Sequence, residues 1–326
     1  MFKHAQPRRI VILGGTGFVG QRLVSALHDE GHRIKVLSRN REAHRDLLVL
    51  PQVEIVTANI FNPESLAKHF ERADIVINLV GILNESGHRG RGFQRAHFEL
   101  TTMAANAARK SGATRYLQMS ALGADPNGPS HYLRSKGRAE DFLMQQAKDL
   151  DVTIFQPSVI FGPDDSFLNR FAGLLKIAPV FPLACASARF APVYVEDVVA
   201  AFCSALHDAD SIGQRYELCG PRIYTLRELV SYVRRQLGLR RLILPLPKPL
   251  SWLQAAVFEF IPGKPFSLDN YNSTKTDSVC RNSDGLRALG ITPTPLEGIA
   301  PAYLRKHVDM RNRYDDYRQH ARPDRD

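Results

Sequence analysis

Gly14-Gly15-Thr16-Gly17-Phe18-Val19-Gly20 follows directly on Arg9–Leu13, one basic residue and then four apolar ones. Behind it, Phe18–Glu30 carries Val19, Leu23, Val24 and Leu27 at helical spacing. A buried strand, a glycine turn and an amphipathic helix, in that order, make the first βα unit of a dinucleotide-binding sheet. Gly14 permits the tight turn, Gly17 lets the backbone approach a pyrophosphate, and Gly20 lets the helix pack closely on the strand. Gly15, Thr16, Phe18 and Val19 complete the loop, and the first N–H groups of the helix are free to bind phosphate.

Working outward, short β-branched runs alternate with helical patterns. Strands are expected at Arg9–Leu13, Arg33–Ser38, Val53–Ala58, Ile75–Leu79, Tyr116–Ser120 and Thr153–Gln156, with helices at Phe18–Glu30, Pro63–Phe70, Phe93–Lys110 and Tyr132–Lys148. Gly31 and Gly112 stand where two of these helices should stop. This rhythm predicts an α/β fold, a doubly wound parallel Rossmann sheet with ligands at the carboxyl ends of its strands. Beyond Pro157 prolines cluster, and helices at about Leu168–Lys176, Val195–His207 and Leu226–Leu237 alternate with short strands such as Arg215–Leu218. The expected division is a nucleotide domain over 1–160 and a smaller α/β lobe over 161–326, with about 190–220 returning to the first domain. Residues 309–326 are polar and mixed in charge, as in a fraying tail.

Composition narrows the class. With 44% hydrophobic and 23% charged residues, the 326-residue chain is globular rather than disordered. Its net charge of +10 concentrates in residues 1–45 and 219–250. No nucleic-acid recognition motif or basic-aromatic alternation accompanies that charge, so no nucleic-acid partner is expected. Cys185, Cys203, Cys219 and Cys280 stand far apart and are expected to be reduced thiols. The eleven histidines form no HExxH or similar array, so no metal site is expected. No secretory signal opens the chain and no run of roughly 18 apolar residues occurs. A cytoplasmic location is expected, with peripheral attachment to the inner face of a membrane open through the basic and apolar stretch Arg240–Leu253.

The end of the second strand speaks to the nucleotide. An acidic residue there would accept ribose hydroxyls; Ser38-Arg39-Asn40-Arg41 instead offers the Arg39 fork to a 2′-phosphate. NADP(H) is therefore expected over NAD(H), which stays possible. Asn78-Leu79-Val80-Gly81 is expected behind the cofactor, with Gly81 allowing close approach. Tyr132-Leu133-Arg134-Ser135-Lys136 places Tyr132 and Lys136 one helical turn apart on one face. A lysine beside a tyrosine favours the phenolate and can hold a ribose, and Ser120, twelve residues before Tyr132, can orient a carbonyl. Tyr132, Lys136 and Ser120 are the candidate catalytic residues, and the first two also candidate cofactor contacts.

These features resemble short-chain dehydrogenase/reductases of the extended or atypical type. YLRSK (132–136), QPSVIFG (156–162), FLNRF (167–171), PVYV (192–195), YTL (224–226) and ITPTPL (291–296) resemble strings of one subgroup. It contains the NADPH-binding accessory subunit of respiratory complex I and its bacterial relatives. The resemblance covers nearly the whole chain, and it implies cofactor contacts at Asn59, Ile60, Pro157 and Val159 as well. Gln156 replaces an arginine of many extended members, and Asn59 an aspartate that often contacts adenine. The complex I member of the subgroup is regarded as holding NADPH without turnover. Two functions are therefore implied: oxidoreduction of a hydrophobic carbonyl or quinone-like substrate, or a nucleotide-loaded accessory factor of a respiratory or quinone-related complex. A sugar-nucleotide epimerase or dehydratase is third, set back by Gln156.

Overall fold

The computed structural model describes residues 6–147, 149–262, 264–281 and 285–305. Its first half alternates strand and helix: β1 (Arg9–Leu13), α1 (Phe18–Asp29), β2 (Arg33–Ser38), a 3-10 segment (Arg41–Val49), β3 (Val53–Thr57), α2 (Pro63–Phe70) and β4 (Ile75–Asn78). A single turn α3 (Arg91–Phe93) then runs through a π-turn (Gln94–Glu99) into α4 (Leu100–Lys110), followed by β5 (Arg115–Met119), α5 (His131–Gln146) and β6 (Asp151–Pro157).

β7 (Ile160–Phe161), α6 (Leu168–Ile177), β8 (Val180–Leu183), β9 (Arg189–Phe190) and β10 (Val193–Tyr194) lead to α7 (Val195–His207) and β11 (Gln214–Leu218). The chain ends its described part with β12 (Tyr224–Thr225), α8 (Leu226–Gln236), β13 (Leu242–Pro245), α9 (Lys248–Phe258), α10 (Leu268–Ser273) and α11 (Gly285–Ala288). The expected polar tail, 309–326, lies outside the described residues.

Seven strands form one parallel sheet in the order β11-β6-β5-β4-β1-β2-β3. Because all run the same way, every carboxyl end opens at one edge, and the order reverses between β1 and β4. That reversal is where a doubly wound sheet leaves a crevice for ligands. Side-chain alternation builds the layers. Ile10, Ile12, Ile34, Val36, Ile75, Ile77 and Leu117 face a core shared with Leu23, Leu27, Val198 and Phe202 of α1 and α7. Their neighbours Val11, Leu13, Leu37, Val76 and Tyr116 face the opposite core, with Leu66, Phe70, Ala104, Ala108 and Leu143 of α2, α4 and α5. A strand buried on both faces reads as an unbroken apolar run, which is why RIVIL was legible.

The chain returns to the sheet through α7 and β11, the latter pairing with β6 from Gln214↔Thr153 to Leu218↔Pro157. A separate core of Leu168, Leu175, Leu183, Leu229, Val233, Ile243, Ala300 and Leu304 holds the lobe together.

Two expectations need correction. The predicted helix over Phe93–Lys110 contains a π-turn, which changes the register of the side chains before Leu100. Cys219 and Cys280 are not free thiols: they form a disulfide with Cα atoms 6.0 Å apart, across a separation of 61 residues. Cys219 follows β11, while the segment carrying Cys280 is laid beside β9, where Phe190 bridges Ser278. Tertiary folding alone makes them neighbours, so spacing could not reveal the bond. Cys185 and Cys203 remain free.

Candidate active site

The glycine loop crosses the carboxyl end of β1. Gly14 adopts φ +78°, the left-handed region that a side chain disfavours. A Cβ at Gly14 would press on the Leu79–Val80 backbone at 3.1 Å, and one at Gly20 would overlap the Gly14 carbonyl oxygen. Gly17 caps α1 with extended backbone, no side chain caps the helix, and its first turn holds no acidic residue. The positive end of a 12-residue helix thus faces the crevice with donors unclaimed by any cap, which suits a pyrophosphate.

The other candidate nucleotide contacts line the same sheet edge. Ser38, last in β2, accepts the Asn40 N–H through its hydroxyl at 3.2 Å. Arg39 is exposed and makes no hydrogen bond or ion pair among the described residues. Asn59 accepts the Phe61 N–H at 3.0 Å and shapes the turn after β3, while Ile60 packs on the second core. Buried Asn78 donates to Thr101 and Gln118, and its carbonyl accepts the Val80 N–H at 3.1 Å. That bond sets the path of Leu79-Val80-Gly81 past the glycine loop. Pro157 and Val159 lie at the end of β6, where the Pro157 carbonyl accepts the Leu122 N–H and the Val159 carbonyl the Val193 N–H.

Tyr132 and Lys136 project from the first turns of α5. Lys136 is buried and its Nζ donates to the Met119 carbonyl at the end of β5, 3.0 Å away. A Cβ on Gly81 would sit 3.5 Å from that Nζ, so Gly81 borders the ammonium directly. Burial pushes Lys136 down to about 8, with the Glu140 charge opposing, and pushes the Tyr132 phenol up to about 12. Without a cationic partner, Tyr132 is a protonated acid and Lys136 a readily discharged base.

The structure surrounds Tyr132 with groups that spacing did not indicate. His97, carried inward by the π-turn, packs edge-on to the Tyr132 ring at 5.3 Å, and Phe93 does so at 6.0 Å. His97 Nε2 accepts the Ile82 N–H at 3.0 Å, so its proton resides on Nδ1, 2.9 Å from the Ser135 hydroxyl. Burial holds this imidazole down to about 2, neutral at any working pH. From the lobe, Asp269 accepts the His131 and Tyr132 N–H groups at 2.6 and 3.1 Å, gripping the start of α5. A π-turn and a contact across 137 residues leave no periodic trace in a sequence.

Ser120 is placed differently from its expected role. It is buried, and its hydroxyl donates to the carboxylate of Glu140, which also accepts the Gln156 amide at 2.8 and 2.9 Å and pairs with Arg215 at 3.1 Å. Tyr132 and Lys136 share the crevice; Ser120 belongs to this buried cluster beside it.

The Lys136 arrangement has a consequence for stability. Its folded pKa lies below that of the unfolded chain, so between about pH 8 and 10.5 the unfolded state holds a proton that the folded state has released. Stability therefore rises with pH across that window. Lys136→Met should stabilise the nucleotide-free protein at pH 7 by up to roughly 3 kcal/mol, an advantage that shrinks as pH climbs to 10. Urea unfolding at a series of pH values measures it; parallel curves for the two proteins would contradict it.

Residues 14–166 match the sequence family described as NAD(P)H-binding. The chain is 31% identical to the mitochondrial NADH dehydrogenase [ubiquinone] 1 alpha subcomplex subunit 9 of Arabidopsis thaliana, over 90% of this chain and 76% of that one. It is 34% identical to a ceramide reductase of Caulobacter vibrioides over 200 residues, 60% of each chain. Among solved structures, a dTDP-glucose 4,6-dehydratase from Streptomyces venezuelae, with NAD and TYD bound, superposes with a TM-score of 0.72 at 17% identity. That match covers 93% of this chain and 98% of that one. With a Rossmann-like parallel sheet and 31% identity over most of both chains, this protein belongs to the family of the NADH dehydrogenase 1 alpha subcomplex subunit 9.

Proposed function

We propose that this chain is an NADP(H)-dependent oxidoreductase acting on a hydrophobic carbonyl or quinone-like substrate. The observation that carries the reading is the placement of Tyr132 and a buried Lys136 one turn apart on α5, with the Lys136 ammonium on the Met119 carbonyl at the carboxyl end of β5. When bound, the nicotinamide supplies or accepts the hydride. The uncapped start of α1 binds the pyrophosphate, and Arg39 pairs with the 2′-phosphate. Lys136 holds the nicotinamide ribose and draws the Tyr132 phenol toward ionisation. Tyr132 gives its proton to the substrate oxygen as that oxygen gains negative charge. His97, neutral and locked by two hydrogen bonds, and Phe93 keep the phenol ring in place and water away from its faces.

The lobe supports a hydrophobic substrate. Trp252, Leu253, Val257 and Phe260 on and after α9, with Leu242 and Leu244 on β13, expose 49–80% of their surface. Exposed Arg240 and Lys248 flank this apolar face. We propose that it rests on an anionic lipid surface from which the substrate is taken. Among the described residues no helix is long and apolar enough to cross a membrane.

A second reading, a nucleotide-loaded accessory factor without turnover, is favoured by one feature: the Ser120 hydroxyl is committed to Glu140 rather than offered to a carbonyl. The name of the Arabidopsis relative agrees with it. The sugar-nucleotide reading is weakest, because the Gln156 amide is held by the same carboxylate.

Three measurements test these readings. Tyr132→Phe should retain NADPH yet lose at least a hundredfold of any quinone or carbonyl reduction, the usual range for a lost general acid; unchanged activity would leave the accessory role. Arg39→Asp should weaken NADPH by tenfold or more, on the order of one charge-assisted contact, and NADH little; equal losses would remove the NADP(H) preference. In co-sedimentation with phosphatidylglycerol vesicles the protein should pellet, and Trp252→Glu should leave it in the supernatant; an unbound wild type would eliminate the membrane surface.

A further inference from the structure

At the opposite edge of the sheet from the cofactor crevice, the carboxyl ends of α1 and α7 meet the start of β2. Glu30 closes α1, His32 leads into β2 and His207 ends α7. Glu30 Oε2 lies 3.4 Å from His32 Nε2 and 3.2 Å from His207 Nε2, and the three donor atoms all fall within 4.8 Å of one another. His32 is 1% exposed, and its Nε2 points into this group without a hydrogen-bond partner.

We infer that Glu30, His32 and His207 hold a divalent transition-metal ion of the zinc class, its fourth position left to solvent. The distances decide in favour of a small tetrahedral ion. Donors about 2.0–2.1 Å from such an ion must stand about 3.3 Å apart, and two of the three separations, 3.2 and 3.4 Å, already do. The third closes by rotation of His207, whose side chain is 46% exposed. Two imidazoles and a carboxylate suit zinc or cobalt and not magnesium or calcium, which want oxygen ligands throughout.

Binding moves one proton within the His32 ring. In the metal-free chain His32 Nδ1 accepts the Arg8 N–H at 3.2 Å, which leaves the ring proton on Nε2 facing Glu30. The ion takes the place of that proton. Nδ1 then carries the hydrogen, and the bond to exposed Arg8, one residue before β1, gives way. What the ion gains for the fold is a clamp between α1, the helix of the glycine loop, and α7. The ligands come from two sites about 175 residues apart, so no sequence motif announces them.

The test uses the whole protein stripped with chelator, then titrated with zinc or with cobalt as its spectroscopic substitute. One equivalent should bind, raise the melting temperature and, for cobalt, give the visible bands of a tetrahedral site; magnesium should do neither. His207→Ala changes a half-exposed side chain and should fold. Its half-saturating metal concentration should rise at least about tenfold, and the melting-temperature gain should vanish. Absence of stoichiometric uptake by the wild type, or equal affinity and equal stabilisation in His207→Ala, would overturn the inference.

Discussion

The approach of α1 to β1 is the constraint on which the remaining architecture depends. It is possible only because no side chain stands at Gly20, where a Cβ would overlap the Gly14 carbonyl, or at Gly14, where one would press on the end of β4. Close packing here aligns the positive end of α1 with the crevice between β1 and β4, the point where strand order reverses. Every other candidate site residue sits at the carboxyl end of a strand or the start of the helix behind it. The parallel ladder therefore carries the geometry of this one turn across the sheet.

Around that frame, the buried polar groups nearest the crevice are held by hydrogen bonds. Asn78 spends its amide on Thr101 and Gln118 and its carbonyl on the path of the β4 exit. His97 uses both ring nitrogens. Glu140 gathers Ser120, Gln156 and Arg215. Lys136 stands apart from them as a buried ammonium with one carbonyl partner, kept at a cost to stability and easily discharged. A group held at such a cost beside a cleft is where function is best sought.

The lobe and the sheet are mutually dependent. Asp269 of α10 caps the helix that presents Tyr132, and the Cys219–Cys280 bond ties the end of β11 to the segment beside β9. The phenol is thus positioned by two parts of the chain that share no local pattern. An exposed apolar face on the lobe and a locked tyrosine in the crevice are consequences of the same arrangement.

The sequence by itself determined what depends on neighbours along the chain. The RIVIL strand, the GGTGFVG turn, the strand-helix alternation and the YLRSK pair are all local or periodic. Local backbone preference and one-sided burial suffice to specify them. The position of Arg39, directly after the last residue of β2, follows from the same local order. What the tertiary structure decided are contacts between distant segments: the disulfide, the Asp269 cap, the Glu140 cluster that claims Ser120, and the His32–His207 group. Each joins residues whose proximity follows from packing two layers against one sheet, and such proximity leaves no imprint on spacing. The π-turn that carries His97 inward belongs with them, because it is a register change imposed by packing on a sequence that reads as ordinary helix.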